Sequence, residues 1–261
     1  MSEGALHPLA NAAIYPSLAG RRVIVSGGAT GIGEGIVEAF VRQGSAVAFV
    51  DVLDDAGDAL VKRFADAAIA PVFMNCDIRD CADYGAKIEK LTDRLGGCDV
   101  LVNNAANDDR HSIDEVTSEY WDERMAVNLK HQFFAAKAVV PEMQAAGGGS
   151  IVNLGSISWH LGLRDLTVYQ VAKAAIEGLT RSLARELGRD IIRVNTIVPG
   201  NVQTPRQMKW YTPEGESEIV AAQCLEGRIQ PSDIAAMALF LASDDARYCT
   251  AHNYWVDAGW R

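Results

Sequence analysis

Cysteine is scarce and unpatterned in this chain. The five residues Cys76, Cys81, Cys98, Cys224 and Cys249 are odd in number and include no C-x-x-C pair. That sets aside a disulfide scaffold and leaves reduced thiols as the plain reading. No set of His, Cys and carboxylate residues has metal-ligand spacing, so no metal is expected. Basic residues are also in short supply: 24 Lys and Arg stand against 34 Asp and Glu, a formal charge of −10. The basic footprint of a phosphate-tracking nucleic-acid binder is missing. No apolar run approaches the roughly 20 residues that span a bilayer. The first twenty residues hold no Lys or Arg and are broken by Pro8 and Pro16, matching neither a secretory signal nor an anchor. A cytoplasmic protein with no membrane or nucleic-acid partner is expected.

What is present is an alternation. Compact apolar runs at Arg22–Ser26, Ala46–Asp51, Val72–Asn75, Val100–Asn103, Ser150–Leu154, Arg193–Val198 and Tyr254–Val256 read as strands. Amphipathic stretches at Ile32–Gln43, Asp54–Ala67, Asp80–Leu95, Ser118–Ala146, Tyr169–Leu187 and Pro231–Ser243 read as helices. Strands apolar on both faces and separated by helices predict an α/β fold, a doubly wound parallel sheet of about seven strands with ligands at its carboxyl edge. No composition break or linker divides residues 1–261, so one domain is expected, with an N-terminal arm over 1–19. The stretch 199–227 shows no simple pattern, and an irregular segment of that length reads as a substrate lid.

The first strand runs into Ser26-Gly27-Gly28-Ala29-Thr30-Gly31-Ile32-Gly33. Glycines there would allow a sharp turn, close approach to a pyrophosphate and tight helix packing, although a purely structural turn also uses glycine. Gly27, Thr30, Gly31, Ile32 and Gly33 are therefore candidate cofactor residues. Asp51 ends the second strand, where a carboxylate accepts both adenosine ribose hydroxyls and repels a 2′-phosphate. It could instead cap the next helix, but Asp54 looks better placed for that. No Lys or Arg lies in the loop or just after Asp51, so NAD is preferred over NADP. Asp77 and Ile78 follow the third strand as an adenine-contacting pair, with a helix-capping role equally open for Asp77.

Tyr169 and Lys173, four residues apart at a helix start, project from one face. Such a pair alone is usually surface or packing. Ser156 after the fifth strand and Asn128 on the preceding helix change that, because the four supply an acid/base phenol, a cation, a hydroxyl donor and a polar relay. With the glycine loop, Asn103-Asn104-Ala105-Ala106, Asn128, Gly155-Ser156, Tyr169-x-x-x-Lys173 and Pro199-Gly200-Asn201-Val202-x-Thr204, the chain resembles the short-chain dehydrogenase/reductase family over nearly its whole length. The resemblance implies a tyrosine acid/base, a lysine that lowers its pKa and binds the nicotinamide ribose, a serine that orients the reacting oxygen, and an asparagine supporting a proton relay. It adds Asn104, Pro199, Val202 and Thr204 to the cofactor residues and implies a homotetramer. Two departures stand out: Ser26 replaces the usual threonine, and Ala106 replaces the usual glycine of N-N-A-G.

Around the expected reaction centre the residues are polar: Asn107-Asp108-Asp109-Arg110-His111, then Ser158, Trp159 and His160, then Gln203, Arg206, Gln207, Trp210 and Tyr211. Such a lining suits a polyhydroxylated substrate, whose hydroxyls need partners once water leaves. The alternative is a solvated charged loop. The segments 107–111, 155–163, 210–216 and 254–261 resemble those of bacterial NAD-dependent aldose 1-dehydrogenases, D-xylose 1-dehydrogenases above all, with L-arabinose and D-galactose enzymes as relatives. The implied reaction is oxidation of the cyclic sugar at its anomeric carbon to an aldonolactone. Asp108, Arg110, Ser156, Ser158, Tyr169, Asn201 and Gln207 are the candidate sugar contacts, Asn201 for the C4 configuration. A catalytically silent NAD-binding regulator would have little reason to keep Ser156, Tyr169, Lys173 and Asn128 together, and a ketoacyl or steroid substrate conflicts with the polar lining.

Overall fold

The computed structural model describes residues 12–209 and 211–261. Seven strands form one parallel sheet: β1 (Arg22–Ser26), β2 (Ala46–Asp51), β3 (Val72–Asn75), β4 (Val100–Asn103), β5 (Gly149–Leu154), β6 (Ile192–Pro199) and β7 (Asn253–Val256). Their order is β3-β2-β1-β4-β5-β6-β7. The chain therefore reverses direction across the sheet between β1 and β4, and a crevice opens there at the carboxyl edge.

Alternate residues of each strand serve opposite faces. Val23, Val25, Val47 and Phe49 face a core shared with α1 (Gly31–Arg42) and α9 (Pro231–Ala242). Ile24, Ala48, Val50 and Leu101 face a second core with α3 (Cys81–Leu95), α5 (His131–Ala145) and α7 (Thr167–Leu187). Burial of each large apolar side chain contributes about 1.5–3 kcal/mol, which is why β2, β3 and β4 carry no polar residue before their last position. No helix among the described residues is long and apolar enough to cross a membrane.

Several helical expectations need correction. The stretch read as one helix over Ser118–Ala146 is α4 (Ser118–Met125), a π-helical turn at Ala126–Lys130, and then α5. The inserted residue carries Asn128 inward, fully buried, and such inserted turns gather at functional sites. The irregular stretch also contains a helix, α8 (Pro213–Ala222). The Thr212 hydroxyl accepts from the Gly215 amide and Pro213 occupies the first turn, so a segment without a simple sequence pattern contains a helix start. The remaining helices are α2 (Asp54–Arg63) and the short α6 (Ser158–Leu161). α2 stops before the expected Ala67. Its cap position is Leu53, so Asp54 is not the helix cap it was expected to be. The arm expected over 1–19 lies outside the described residues up to position 11, and so does Trp210.

Candidate active site

A cavity of about 750 Å³ lies along the carboxyl edge between β1 and β4. Gly27, Thr30, Gly31, Ile32, Asp51, Asp77, Ile78 and Asn104 line one part of it. Ser156, Ser158, Tyr169, Lys173, Pro199, Asn201, Val202, Thr204, Gln207 and Arg110 line the rest. Most of the expected cofactor, catalytic and sugar residues thus share one space.

The glycine loop fits a dinucleotide. Gly27 sits at φ +65°, and a Cβ there would lie 2.8 Å from the Ala105 Cα. Gly31, at φ +59°, opens α1, whose cap residue Thr30 makes no side-chain cap bond. The first amides of α1 are left to an anionic group, and Gly31 and Ile32 line the cavity. Gly33 acts differently from a contact residue: it is buried and does not line the cavity. A Cβ there would come within 1.8 Å of the Gly27 carbonyl oxygen, so it allows helix and loop to close on each other. Ser26 keeps the work of the usual threonine, since its Oγ accepts from the amides of Asn104 (3.1 Å) and Ala105 (3.2 Å). Ala106 has no positive φ, so its methyl sits without strain on the cavity wall.

The Asp51 carboxylate accepts from the amides of Ala29 (3.0 Å), Val52 (2.8 Å) and Leu53 (3.2 Å), which holds it at the cavity edge. Helix capping at α3 belongs to Asp80, which accepts from Ala82 and Asp83. Asp77 instead grips Arg79, whose guanidinium also reaches Glu123 at 3.0 Å. That ion pair and hydrogen bond hold the Asp77 carboxyl below its usual range.

α7 is placed by buried polar groups. Asn103 and Asn153 face each other across β4 and β5, with Asn103 Nδ2 donating to Asn153 Oδ1 at 2.9 Å. Asn153 Nδ2 donates to Thr180 Oγ1 of α7 at 2.9 Å, and Thr180 meets Thr196 of β6 at 2.7 Å. At the other end, His111 Nε2 accepts the Val168 amide proton at 3.2 Å. Neither Thr180 nor His111 was expected to position the helix. The available signal was the polar residues within or at the end of the apolar strand runs, Asn103, Asn153 and Thr196.

Lys173 is fully buried and donates from Nζ to the Leu154 carbonyl at 2.7 Å. Burial pulls its pKa down to about 8, with Asp108 opposing. Tyr169 lies beside it, its ring centroid 5.5 Å from Lys173 Nζ. Burial and the Asp108 charge push the phenol above its ordinary value, while Ser156, Arg206 and Arg110 pull against them. A phenol lowered by the lysine was expected; the side chains alone keep Tyr169 protonated near neutral pH. The Ser156 hydroxyl donates to Ser158 Oγ at 2.9 Å. Asn128 pairs with the Asn107 backbone at both ends, accepting from its N–H at 2.8 Å and donating to its carbonyl at 3.0 Å.

Among the expected sugar contacts, Asp108 does not line the cavity. Its carboxylate is taken up by Arg206 Nε (2.9 Å) and Gln207 Nε2 (2.6 Å), which pack against the 107–109 loop. Arg206 also donates to Asn107 and Asp109. Gln207 lines the cavity, but its Oε1 meets the Tyr211 hydroxyl at 2.8 Å. Trp159 and His160 turn away from the cavity: both donate or lean to Glu177 Oε1, at 3.0 and 2.7 Å, and His160 packs against Trp255. Tyr211 and Arg228 complete the far wall through Asn201, whose Oδ1 accepts from both, at 2.7 and 2.9 Å.

A family model described as enoyl-(acyl carrier protein) reductase matches residues 27–261. A short-chain type dehydrogenase/reductase from Mycobacterium ulcerans superimposes with a TM-score of 0.89 at 28% identity, covering 94% of this chain and 90% of that one. The chain belongs to the short-chain dehydrogenase/reductase family. A 7 alpha-hydroxysteroid dehydrogenase complexed with NADH gives a TM-score of 0.90 at 30% identity over 94% of this chain and 96% of its own. In sequence, this family member is 57% identical to a D-xylose 1-dehydrogenase of Caulobacter vibrioides over 96% of the chain and 100% of that relative. It is 45% identical to a probable galactose dehydrogenase of Rhizobium meliloti, covering 94% and 96% respectively. The chain is accordingly an oxidoreductase acting on CH-OH groups, of a family whose fold binds a nicotinamide cofactor.

Proposed function

We propose that this enzyme oxidises the C1 hydroxyl of a cyclic aldose, D-xylose, to the aldonolactone with NAD, as a homotetramer in the cytoplasm. The 57% identity to a D-xylose 1-dehydrogenase over the whole relative carries the reading. The polar cavity wall of Asn201, Gln207, Tyr211 and Arg110 supports a polyhydroxylated substrate. The acidic end of β2 supports NAD: Asp51 lines the cavity and would repel a 2′-phosphate, and the cavity-lining Arg79 is already engaged by Asp77 and Glu123. Exposed Trp121, Phe133 and Val171 on α4, α5 and α7 support assembly through those helices.

The loop Gly27–Ile32 and Asp51 would hold the dinucleotide, with Lys173 and Thr204 at its nicotinamide end. When bound, the nicotinamide supplies a hydride acceptor. Ser156 then holds the C1 oxygen by its hydroxyl, and Tyr169, in its phenolate form, takes the C1 hydroxyl proton. Lys173, with a pKa brought to about 8, and Asn128 pass that proton outward and restore the phenolate. Arg206, bonded to Asn107 and Asp109, would keep water from the reacting carbon.

Purified protein assayed with NAD and with NADP against D-xylose, L-arabinose, D-galactose, D-glucose and D-ribose tests the reading. D-xylose with NAD should give the highest kcat/KM; absence of turnover on every aldose would remove it. The galactose dehydrogenase relative makes a D-galactose or L-arabinose enzyme the second reading, and the same panel separates the two.

A further inference from the structure

The far wall of the cavity contains an arithmetic of protons that selects its ligand. Asn201 Oδ1 accepts from Arg228 Nη2 at 2.9 Å and from the Tyr211 hydroxyl at 2.7 Å. Arg228 has only donors, so turning the Asn201 amide over would set its NH₂ group against a guanidinium N–H. The orientation is thereby fixed. Arg228 is itself held by Glu216, with its side chain only 8% exposed, and its guanidinium carbon stands 5.1 Å from the Tyr211 ring centre. Gln207 is fixed in the same way from the other side. Its Nε2 donates to the Asp108 carboxylate at 2.6 Å, so its Oε1 must face Tyr211, at 2.8 Å.

Tyr211 has one hydroxyl proton, which burial keeps on the oxygen, and two fixed carbonyl oxygens claim it. Asn201 Oδ1 already has a donor in Arg228, and Gln207 Oε1 has none besides Tyr211. Asn201 Nδ2 meanwhile has no hydrogen-bond acceptor among the described residues. The wall therefore offers one unused donor and one carbonyl short of a proton, both set around a single phenol oxygen and both on cavity-lining residues. That is the complement of a hydroxyl group, which accepts one hydrogen bond and gives one.

We propose that Arg228 is a positioning residue that makes Asn201 a hydrogen-bond donor toward the substrate, and that Asn201 Nδ2 with Gln207 Oε1 reads one ring hydroxyl remote from C1. The inference rests on the aldose reading. Ser156 and Tyr169 occupy the C1 oxygen, so this wall is left to another position on the ring.

The test is steady-state kinetics of the full-length enzyme on D-xylose and its 2-, 3- and 4-deoxy analogues at saturating NAD. Asn201→Asp keeps the acceptor toward Arg228 and Tyr211 and replaces only the free donor. In the parent enzyme one deoxy sugar should lose about tenfold in kcat/KM. Asn201→Asp should lose about as much on D-xylose through KM, keep kcat and the KM for NAD, and lose nothing further on that one deoxy sugar. Arg228→Met should flatten the same preference by freeing the amide to turn, a change that mere loosening of the lid would not confine to one hydroxyl. Equal losses on every analogue in Asn201→Asp, or an unchanged KM, would overturn the proposal. Absence of turnover on any aldose by the parent enzyme would instead remove the sugar reading, and this one with it.

Discussion

The Nε2 of His111 accepts the amide proton of Val168 at 3.2 Å, so a residue on the loop after β4 caps the helix that carries Tyr169 and Lys173. Nε2 must be unprotonated to accept, which puts the ring proton on Nδ1, beside the Asp109 carbonyl (3.2 Å) and the Tyr120 hydroxyl (3.0 Å). The loop that lines the substrate side and the helix that holds the reacting groups are thereby joined. His111→Ala should cost about 1 kcal/mol of stability, as for other lost caps, measured by chemical denaturation. It should also lower kcat, because the first turn of α7 holds Tyr169. Unchanged stability and turnover would show that the cap is idle.

Tyr169→Phe should reduce kcat by about 10²–10⁴-fold, the range for losing a positioned proton acceptor, with NAD affinity by fluorescence titration kept. The raised phenol pKa adds a direction: more of the parent enzyme holds Tyr169 in its basic form as pH rises, so sugar oxidation should speed up from pH 7 to 9. A rate that falls across that interval would point to a different base.

Asp51→Ala should narrow the preference for NAD over NADP, read as the ratio of kcat/KM for the two cofactors. Removing the carboxylate removes repulsion of a 2′-phosphate and the ribose acceptor together. The three backbone amides it serves are lost as well, so a modest fall in stability should accompany the change. An unaltered ratio would reassign Asp51 to loop structure alone.

Lys173 links stability to pH. Its folded pKa, about 8, lies below the ordinary lysine value of 10.5, so between these values the unfolded chain binds more protons than the folded one. Stability contributed by this residue therefore rises with pH over that window, and the cost of the buried charge is fully present below about pH 8. Compared with Lys173→Met, the parent enzyme should gain relative stability between pH 8 and pH 10.5 in urea unfolding. A constant difference would mean that the ammonium is as well solvated when folded as when unfolded.

The sheet was legible in the sequence because parallel strands buried on both faces leave continuous apolar runs, and each of the seven observed strands lies within one residue of its expected bounds. The catalytic residues were legible because Ser156, Tyr169 and Lys173 carry chemistry at distinctive spacing. The π-helical turn at Asn128 was not, since one inserted residue barely disturbs an apolar stripe. The substrate side was harder still. Asp108, Gln207, Trp159 and His160 are polar residues near the centre in sequence, but which of them faces the cavity depends on partners supplied by Arg206, Tyr211 and Glu177, most of them distant in sequence. Composition reports that a wall is polar; only pairing tells which atoms are left over.

Glu177 joins the turn after Ser156 to the far end of the chain. It binds Trp159 and His160 on one side and Asn253 of β7 on the other, His160 rests on Trp255, and the Arg261 guanidinium lies 4.3 Å over the Trp255 ring. Anything fused behind Arg261 would therefore pull, through two aromatic rings and one carboxylate, on the loop that holds the serine hydroxyl. An affinity handle belongs at the other terminus, and a kinetic comparison of the two placements would measure how stiff that tether is.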